Sequence, residues 1–220
     1  MLSEPILTSR AEDGREIPLL VWRADVPLRT ISSGALGGGI GARLWVLNAT
    51  VPMSYDRDDP AAHLAALAAD LALDGPGVGL LTGVDVAEVI ARTDTGVRAW
   101  VTVGLGTPVL AAAPAPAALA QRVGTVNIVV YVPARLADSA LVNAVATATE
   151  AKTQAIRELG LPGTGTPTDA VTVLCPVDGP TAAYGGPRST WGAPVARAVH
   201  SAVLAGGARA VVPWSEQLTG

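Results

Sequence analysis

The stretch from residue 137 to residue 176 constrains the fold most, because it predicts a long helix, a tight loop and a buried strand in succession. Apolar residues recur at helical spacing over residues 139–159 and predict one buried helix face. Asp138 or Ser139 is expected to cap the start of this helix. Gly160 is expected to end it in the left-handed conformation that glycine adopts readily.

One charged residue, Lys152, falls in the middle of the predicted apolar face, whereas Glu150 falls on the opposite face. An ammonium on an apolar face must find a partner, reach water or lose its proton. Three interpretations therefore stay open for Lys152. Its stem can extend to the surface, it can form a structural ion pair, or it can be held in a pocket beside the next loop.

That next loop, residues 163–169, reads GTGTPTD and directly precedes the apolar run AVTVLC, which predicts a buried strand. Its two glycines allow the backbone to approach a ligand closely. Three threonines and Asp169 at the end of a core strand are typical of a site built on a rigid scaffold. The alternative is an ordinary loop whose Thr and Asp side chains bond their own backbone.

Composition and charge exclude several classes of function. The 220 residues are enough for one sizeable core, so a single domain over residues 1–220 is expected. The net charge is −4 and no basic run occurs, so nucleic acid is not an expected partner. The N-terminus lacks a signal-peptide pattern, and the most apolar window, residues 104–120, contains prolines and glycines. We therefore expect no membrane association and a cytoplasmic location.

The metal-ligating residue types are sparse. Two histidines, His63 and His200, and one cysteine, Cys175, lie far apart in the sequence and show no metal-ligand spacing. Cys175 is expected to be a core residue of the predicted strand. His63 lies off the apolar stripe of a short helix that begins near Asp59, and it is expected to be solvated or bonded locally. We expect no metal and no cofactor.

Five glycines occur between residues 34 and 41. A nucleotide-binding loop would open a helix, but the residues that follow, LWVLNATV, predict a strand. Two interpretations remain for this segment: a glycine-lined wall for a large flat ligand, or a tight connection between strands.

The order of the predicted elements indicates the fold class. Strands are predicted at 125–132 and 170–175, helices at 139–159 and 193–205, and a hairpin turn at 93–96. We therefore predict an α/β or α+β fold, with a mixed β-sheet flanked by helices in a single domain.

Several stretches together resemble the adenosylcobinamide amidohydrolase family, enzymes of corrinoid salvage. TEAK at 149–152 followed by TGTPTDAV at 164–171 is the most distinctive pair. The matches extend over about residues 30–205, and the others are ISSGALGGGIG, WVLN, GVGLLTGVDV, VTVGLG, TVNIVVYV, YGGPRSTWG and RAVHSAV.

The resemblance implies hydrolysis of the amide that joins the aminopropanol arm to the corrin ring of adenosylcobinamide. The products would be aminopropanol and adenosylcobyric acid, which re-enters cobamide synthesis, and the cobalt would belong to the substrate. The expected partner is this small-molecule corrinoid. The alternatives are a non-catalytic corrinoid-binding or carrier protein and a hydrolase of another amide.

Amide hydrolysis requires an activated nucleophile, stabilisation of the oxyanion and a proton for the departing amine. We assign Asp169 as the base or as the group that orients the base. Lys152 would stabilise the oxyanion or protonate the departing amine. Thr166 or Thr164 would bind the oxyanion or act as the nucleophile. Glu150 belongs to the matched TEAK motif but lies opposite Lys152 on a regular helix. It could reach the same site only if the helix ended there, or in a homo-oligomer through the partner subunit.

The resemblance also implies a set of substrate contacts. One of them, Asp85, interrupts an apolar strand region, and a turn aspartate is the alternative interpretation of that residue. The expected substrate-binding residues are Ser32, Ser33, Gly34, Asn48, Asp85, Thr164, Gly165 and Thr168.

Overall fold

The computed structural model describes residues 1–12, 14–114, 124–209 and 214. Within these ranges, eight strands form one mixed sheet, and three helices pack against it. The strands are β1 Ile6–Glu12, β2 Arg15–Ser32, β3 Gly39–Thr50, β4 Gly77–Thr82, β5 Ile90–Asp94, β6 Val97–Val103, β7 Val126–Tyr131 and β8 Ala170–Cys175. The helices are α1 Pro60–Asp70, α2 Asp138–Glu158 and α3 Gly192–Gly207, and a 3₁₀ turn spans Val86–Glu88.

The strand order is β4-β3-β2-β8-β7-β6-β5, with β1 paired to β2. The β3–β4 and β7–β8 pairs are parallel, and the other pairs are antiparallel. Helix α2 connects the parallel strands β7 and β8, as a crossover between parallel neighbours requires. The predicted fold class, a mixed sheet flanked by helices, is confirmed.

The sheet coils strongly, as two buried asparagines show. Asn48 on β3 and Asn127 on β7 lie three strand positions apart, which in a flat sheet corresponds to about 14 Å. Nevertheless, Nδ2 of Asn127 donates to Oδ1 of Asn48 at 2.8 Å and to the carbonyl of Leu81 at 2.9 Å. The inner face of the sheet therefore closes on itself and forms its own core.

Alternation along the strands separates the inner core from two outer cores. On β7, Val129 faces the inner core, whereas Val126 and Ile128 face the helices. Helices α2 and α3 cover the outer face of β5 to β8, and α1 covers the outer face near β3. The inner core contains Trp22, Leu28, Val46, Val78, Leu80, Trp100, Val129, Tyr131 and Leu174.

Helix α2 matches its prediction except at its first residues. Gly160 follows the helix with φ of 73°, as expected. The predicted cap is wrong: Ala137 occupies the cap position without a side-chain bond, and Asp138 is the first helical residue. The physical reason is that the carboxylate of Asp138 binds Arg29 of β2 instead, with Nε of Arg29 at 2.8 Å.

Helix α1 begins as predicted, because the carboxylate of Asp59 accepts a bond from the backbone N–H of Ala62 at 2.9 Å. The expectation of a solvated His63 is wrong, since this residue is only 7% exposed. The local bond is confirmed: Nδ1 of His63 lies 3.1 Å from the hydroxyl of Tyr55, and the two rings stack. None of the helices in the described ranges is long and apolar enough to cross a membrane.

Candidate active site

Lys152 and Asp169 form a buried ion pair between the interior of α2 and the start of β8. Their side chains are only 8% and 11% exposed. The interpretation that Lys152 extends to the surface is therefore wrong. Lys152 lies on the apolar face of α2, as the helical spacing predicts. Because that face packs on the sheet beside β8, the lysine contacts the loop at 163–169 that precedes this strand.

The carboxylate of Asp169 accepts four hydrogen bonds. Oδ1 accepts from the backbone N–H of Val126 at 2.9 Å and from the hydroxyl of Thr166 at 2.6 Å. Oδ2 accepts from the backbone N–H of Thr166 at 3.0 Å and from Nζ of Lys152. Four donors match the roughly four lone-pair positions of a carboxylate, so this group is fully bonded in its ionised form.

The three threonines of the loop have different partners. The hydroxyl of Thr164 accepts from the N–H of Ala111 at 3.0 Å and donates to the carbonyl of Val109 at 3.3 Å. The hydroxyl of Thr168 bonds that of Thr125. Thr166, which is 8% exposed, is the loop threonine whose hydroxyl donates to Asp169. The structure thus brings Lys152, Asp169 and Thr166 together and separates Thr164 and Thr168 from the carboxylate.

The backbone of the loop is held from two sides. The carbonyl of Gly165 accepts from the N–H of Val109 at 2.8 Å, and the N–H of Thr164 donates to the carbonyl of Val109 at 2.8 Å. The hydroxyl of Thr153 on α2 donates to the carbonyl of Thr164 at 3.0 Å. These bonds fix the loop against a neighbouring segment and against the helix that carries Lys152.

The end of β2 brings Ser32, Ser33 and Gly34 beside β8. The N–H of Ser33 donates to the carbonyl of Val171, and its hydroxyl accepts from the N–H of Val171, both at 3.0 Å. The hydroxyl of Ser32 bonds that of Thr172 at 2.8 Å and accepts from the N–H of Gly34 at 2.9 Å. These residues lie near the start of β8, but the hydroxyls bond the protein itself.

Two further residues predicted to contact substrate, Asn48 and Asp85, bond other groups of the protein in the ranges that the structure describes. Asn48 is 1% exposed and bonds Asn127 and the hydroxyl of Thr102 inside the coiled sheet. Asp85 precedes the 3₁₀ turn and accepts from the N–H of Ala87 at 2.8 Å. The turn interpretation therefore describes Asp85.

Glu150 lies on the opposite face of α2 from Lys152, as the helix spacing predicts. It lines a groove of about 230 Å³ between α2 and α3, together with Gln154, Arg197 and His200. Within one chain, the structure does not bring Glu150 to the Lys152–Asp169 pair.

The glycine-rich segment at 34–41 forms a tight connection. Leu36 exchanges two backbone hydrogen bonds with Gly79 of β4, and a β-carbon on Gly37 would overlap the carbonyl of Gly77. Strand β3 begins within this segment, at Gly39, so the glycines open a strand and not a helix, and the nucleotide-loop pattern is absent from this part of the chain. A groove of about 590 Å³ lies beside the connection and is lined by Gly37, Gly75, Gly77, Trp45 and Leu36, among others.

Three further residues shape the site and were not among those predicted from the sequence. Val126 supplies a backbone N–H to Asp169, Thr125 bonds Thr168, and Thr153 bonds the loop. Thr125 and Val126 begin the matched stretch TVNIVVYV, and Thr153 directly follows the matched TEAK. Their position in or beside these stretches was the sequence signal that could have identified them.

The arrangement combines an ammonium, a carboxylate and a hydroxyl in a largely water-excluded place, where electrostatic interactions are stronger than in water. It can accept a proton from a nucleophile, stabilise a developing oxyanion and return a proton to a leaving group. Within the described ranges, no group of three or more His, Cys, Asp and Glu residues lies close enough to hold a metal ion.

A family model and two known proteins indicate the same family for this chain. The family model for adenosylcobinamide amidohydrolase matches residues 4–211. An adenosylcobinamide amidohydrolase of Methanosarcina mazei is 30% identical over 185 residues, which cover 80% of this chain and 88% of that protein.

Two further proteins are similar. An adenosylcobinamide amidohydrolase of Halobacterium salinarum is 34% identical over 187 residues, covering 80% of this chain and 79% of that protein. An uncharacterised protein of Methanocaldococcus jannaschii is 37% identical over 92 residues, covering 38% of this chain and 36% of that protein.

Proposed function

This chain belongs to the adenosylcobinamide amidohydrolase family, and from this premise we propose that it hydrolyses the amide between the aminopropanol arm and the corrin ring of adenosylcobinamide. The products are aminopropanol and adenosylcobyric acid, which returns to cobamide synthesis. The substrate is a small-molecule corrinoid, and its cobalt is part of the substrate.

The observation that carries the proposal is the buried Lys152–Asp169–Thr166 arrangement. Hydrolysis of an unactivated amide requires proton transfer and oxyanion stabilisation, and these three side chains supply a base or orienting carboxylate, a cation and a hydroxyl. Lys152 stabilises the oxyanion or protonates the departing amine.

The chemistry of these groups also supports a mechanism in which the protein needs no metal. The carboxylate of Asp169 already accepts four bonds from protein donors, and an ammonium is one of them. A carboxylate that accepts four such bonds has little capacity left for a cation, and a nearby ammonium repels one.

The experiment is to incubate the purified protein with adenosylcobinamide and to follow adenosylcobyric acid and aminopropanol by mass, with and without a chelator. We expect both products at equal rates in the two conditions. Product lost to the chelator would contradict the metal-free mechanism while keeping the substrate.

Two controls separate the alternatives. Binding of the corrinoid without any product would identify a non-catalytic carrier protein. Turnover of unrelated amides at rates similar to that of the corrinoid would identify a hydrolase of another amide.

The variant Asp169→Asn should bind corrinoid but release little product, because it retains the side-chain shape and loses the charge.

A further inference from the structure

We propose that Thr166 is the nucleophile and that the reaction passes through an ester between its Oγ1 and the propionate carbonyl of the corrin ring. This inference rests on the proposed amide hydrolysis and specifies how it proceeds. It starts from the bond between the Thr166 hydroxyl and Oδ1 of Asp169, at 2.6 Å.

The bonding of Asp169 disfavours direct activation of water. A general base must offer a lone pair to the proton that it removes. The four donors to Asp169 are two backbone N–H groups, the ammonium of Lys152 and the hydroxyl of Thr166. A water could bond this carboxylate only by displacing one of them, whereas the Thr166 proton is already directed at Oδ1.

The other charged group cannot serve as the base in this arrangement. Lys152 donates to Asp169 as an ammonium, which has three N–H donors and no lone pair. Among the described residues, the hydrogen-bond partner of this ammonium is Oδ2 of Asp169, so two further N–H groups can bond a developing oxyanion. The lysine therefore acts as the cation of the site, and the carboxylate acts as its base.

The neighbouring hydroxyls are committed to other bonds. The hydroxyl of Thr164 bonds backbone groups of residues 109 and 111, and the hydroxyl of Thr168 bonds Thr125. Ser33 accepts from the backbone of Val171. Of the hydroxyls that the structure describes around the loop, the one on Thr166 is paired with a base, as an activated nucleophile requires.

In the first half-reaction, Oγ1 of Thr166 bonds to the amide carbon while its proton moves to Oδ1 of Asp169. The carbonyl π electrons move to the oxygen, and the resulting oxyanion is stabilised by Lys152. When the tetrahedral species collapses, the carbon–nitrogen bond breaks, and the proton on Asp169 moves to the nitrogen. Aminopropanol leaves, and the corrinoid acyl group remains on Thr166.

In the second half-reaction, aminopropanol has left and the Thr166 oxygen is esterified, so Oδ1 of Asp169 has lost one donor. A water can now bond this oxygen, lose its proton to it and attack the ester carbon. Collapse breaks the carbon–Oγ1 bond and returns the proton to Thr166. The sum consumes one amide and one water and yields one acid and one amine.

The test compares two corrinoid amides that share the acyl group and differ in the amine: adenosylcobinamide and its synthetic ethanolamine analogue. Each is incubated with the wild-type protein and hydroxylamine, and the hydroxamate and adenosylcobyric acid are measured by mass. A common ester predicts the same hydroxamate-to-acid ratio from both amides. A ratio that depends on the departing amine would overturn the proposal and leave the hydrolysis itself intact.

Three variants give an independent test. Thr166→Val, which keeps the shape without the hydroxyl, should lower turnover by about 10³-fold or more, whereas Thr166→Ser should stay within about tenfold of wild type. Thr93→Val is the matched control on an exposed strand and should turn over like wild type.

Retained turnover in Thr166→Val would overturn the nucleophile assignment. Folding is checked for every variant by circular dichroism. The hydroxamate-to-acid ratio is measured with the wild-type protein alone, so that test holds even if a variant fails to fold. If the wild-type protein released no aminopropanol at all, the proposed hydrolysis would fail together with this inference.

Discussion

A β-carbon placed on Gly165 would lie 2.5 Å from Nζ of Lys152. The same atom would also overlap Oδ2 of Asp169, so the ion pair occupies the volume that any side chain at residue 165 would need. A side chain at residue 165 would therefore push the ion pair apart. Because Gly165 has no positive φ, this constraint comes from the contact and not from the backbone conformation.

Gly165→Ala is predicted to separate Lys152 from Asp169 and to lower kcat by about 10²-fold, a loss that a displacement of about 1 Å can cause. Overpacking should also lower the free energy of unfolding by about 1–3 kcal/mol. Turnover assays and urea unfolding measure the two effects. Gly106→Ala is the control, because a β-carbon there meets no atom within 4 Å. Equal activity of the two variants would contradict the prediction.

Lys152→Met and Asp169→Asn each leave one member of the buried pair without its partner charge. We expect kcat to fall by about 10²–10⁴-fold in either variant, since a proton-transfer or charge-stabilising group is lost. The free energy of unfolding should fall by about 3–5 kcal/mol, as is typical when one partner of a buried ion pair is removed. Stopped assays and urea unfolding measure these quantities.

The control for this pair is Arg209→Met, which removes an ion pair with Glu88 in which both side chains are 56% exposed. Its free energy of unfolding should stay within about 1 kcal/mol of wild type, and its turnover should not change. If Lys152→Met and Asp169→Asn behaved like this control, the pair would be a surface-type interaction without a role in catalysis.

Asn127→Ala is predicted to destabilise the coiled sheet. Nδ2 of Asn127 is the donor to both Oδ1 of Asn48 and the carbonyl of Leu81, so the substitution leaves two acceptors without it. The cost is about 1–3 kcal/mol for each buried acceptor left unbonded. Urea unfolding measures it, with Asn143→Ala on the exposed face of α2 as the control. Equal stability of the two variants would show that this bridge contributes little.

Much of the second half of the fold was predictable from sequence because it rests on local patterns. The apolar spacing of residues 139–159, the glycine that follows and the apolar run before Cys175 each determine an element without distant partners. Lys152 and Asp169 are 17 residues apart, and one helix end and one loop suffice to bring them together. The candidate site was therefore foreseeable in outline.

The rest depended on contacts between distant residues. Asp138 failed as a cap because Arg29, 109 residues away, takes its carboxylate. Asn48 was predicted as a substrate contact, yet the coiling of the sheet buries it against Asn127 of β7. Strand β2 extends over 18 residues with a register shift between Arg23 and Leu28, and no local pattern encodes such an irregularity. Contacts of this kind arise from the packing of whole strands.

His63 provides a prediction of pH dependence. Burial lowers the pKa of His63 in the folded protein, the cation of Arg57 lowers it further, and Glu12 opposes both effects. In the unfolded chain the imidazole titrates near its ordinary value of about 6.5. Below that pH the unfolded state binds more protons than the folded state, so the free energy of unfolding falls as the pH falls.

Wild type is therefore expected to lose more stability than His63→Gln between pH 7 and pH 5. Glutamine does not titrate in this range, and its amide can still bond the hydroxyl of Tyr55, which lies 3.1 Å from Nδ1 of His63. The difference between the two unfolding free energies, measured in urea at several pH values, reports the titration of the histidine together with its coupling to the carboxylate of Glu12. Parallel curves, or a wild type that gains stability relative to the variant on acidification, would show that the folded protein accommodates the imidazolium as well as water does.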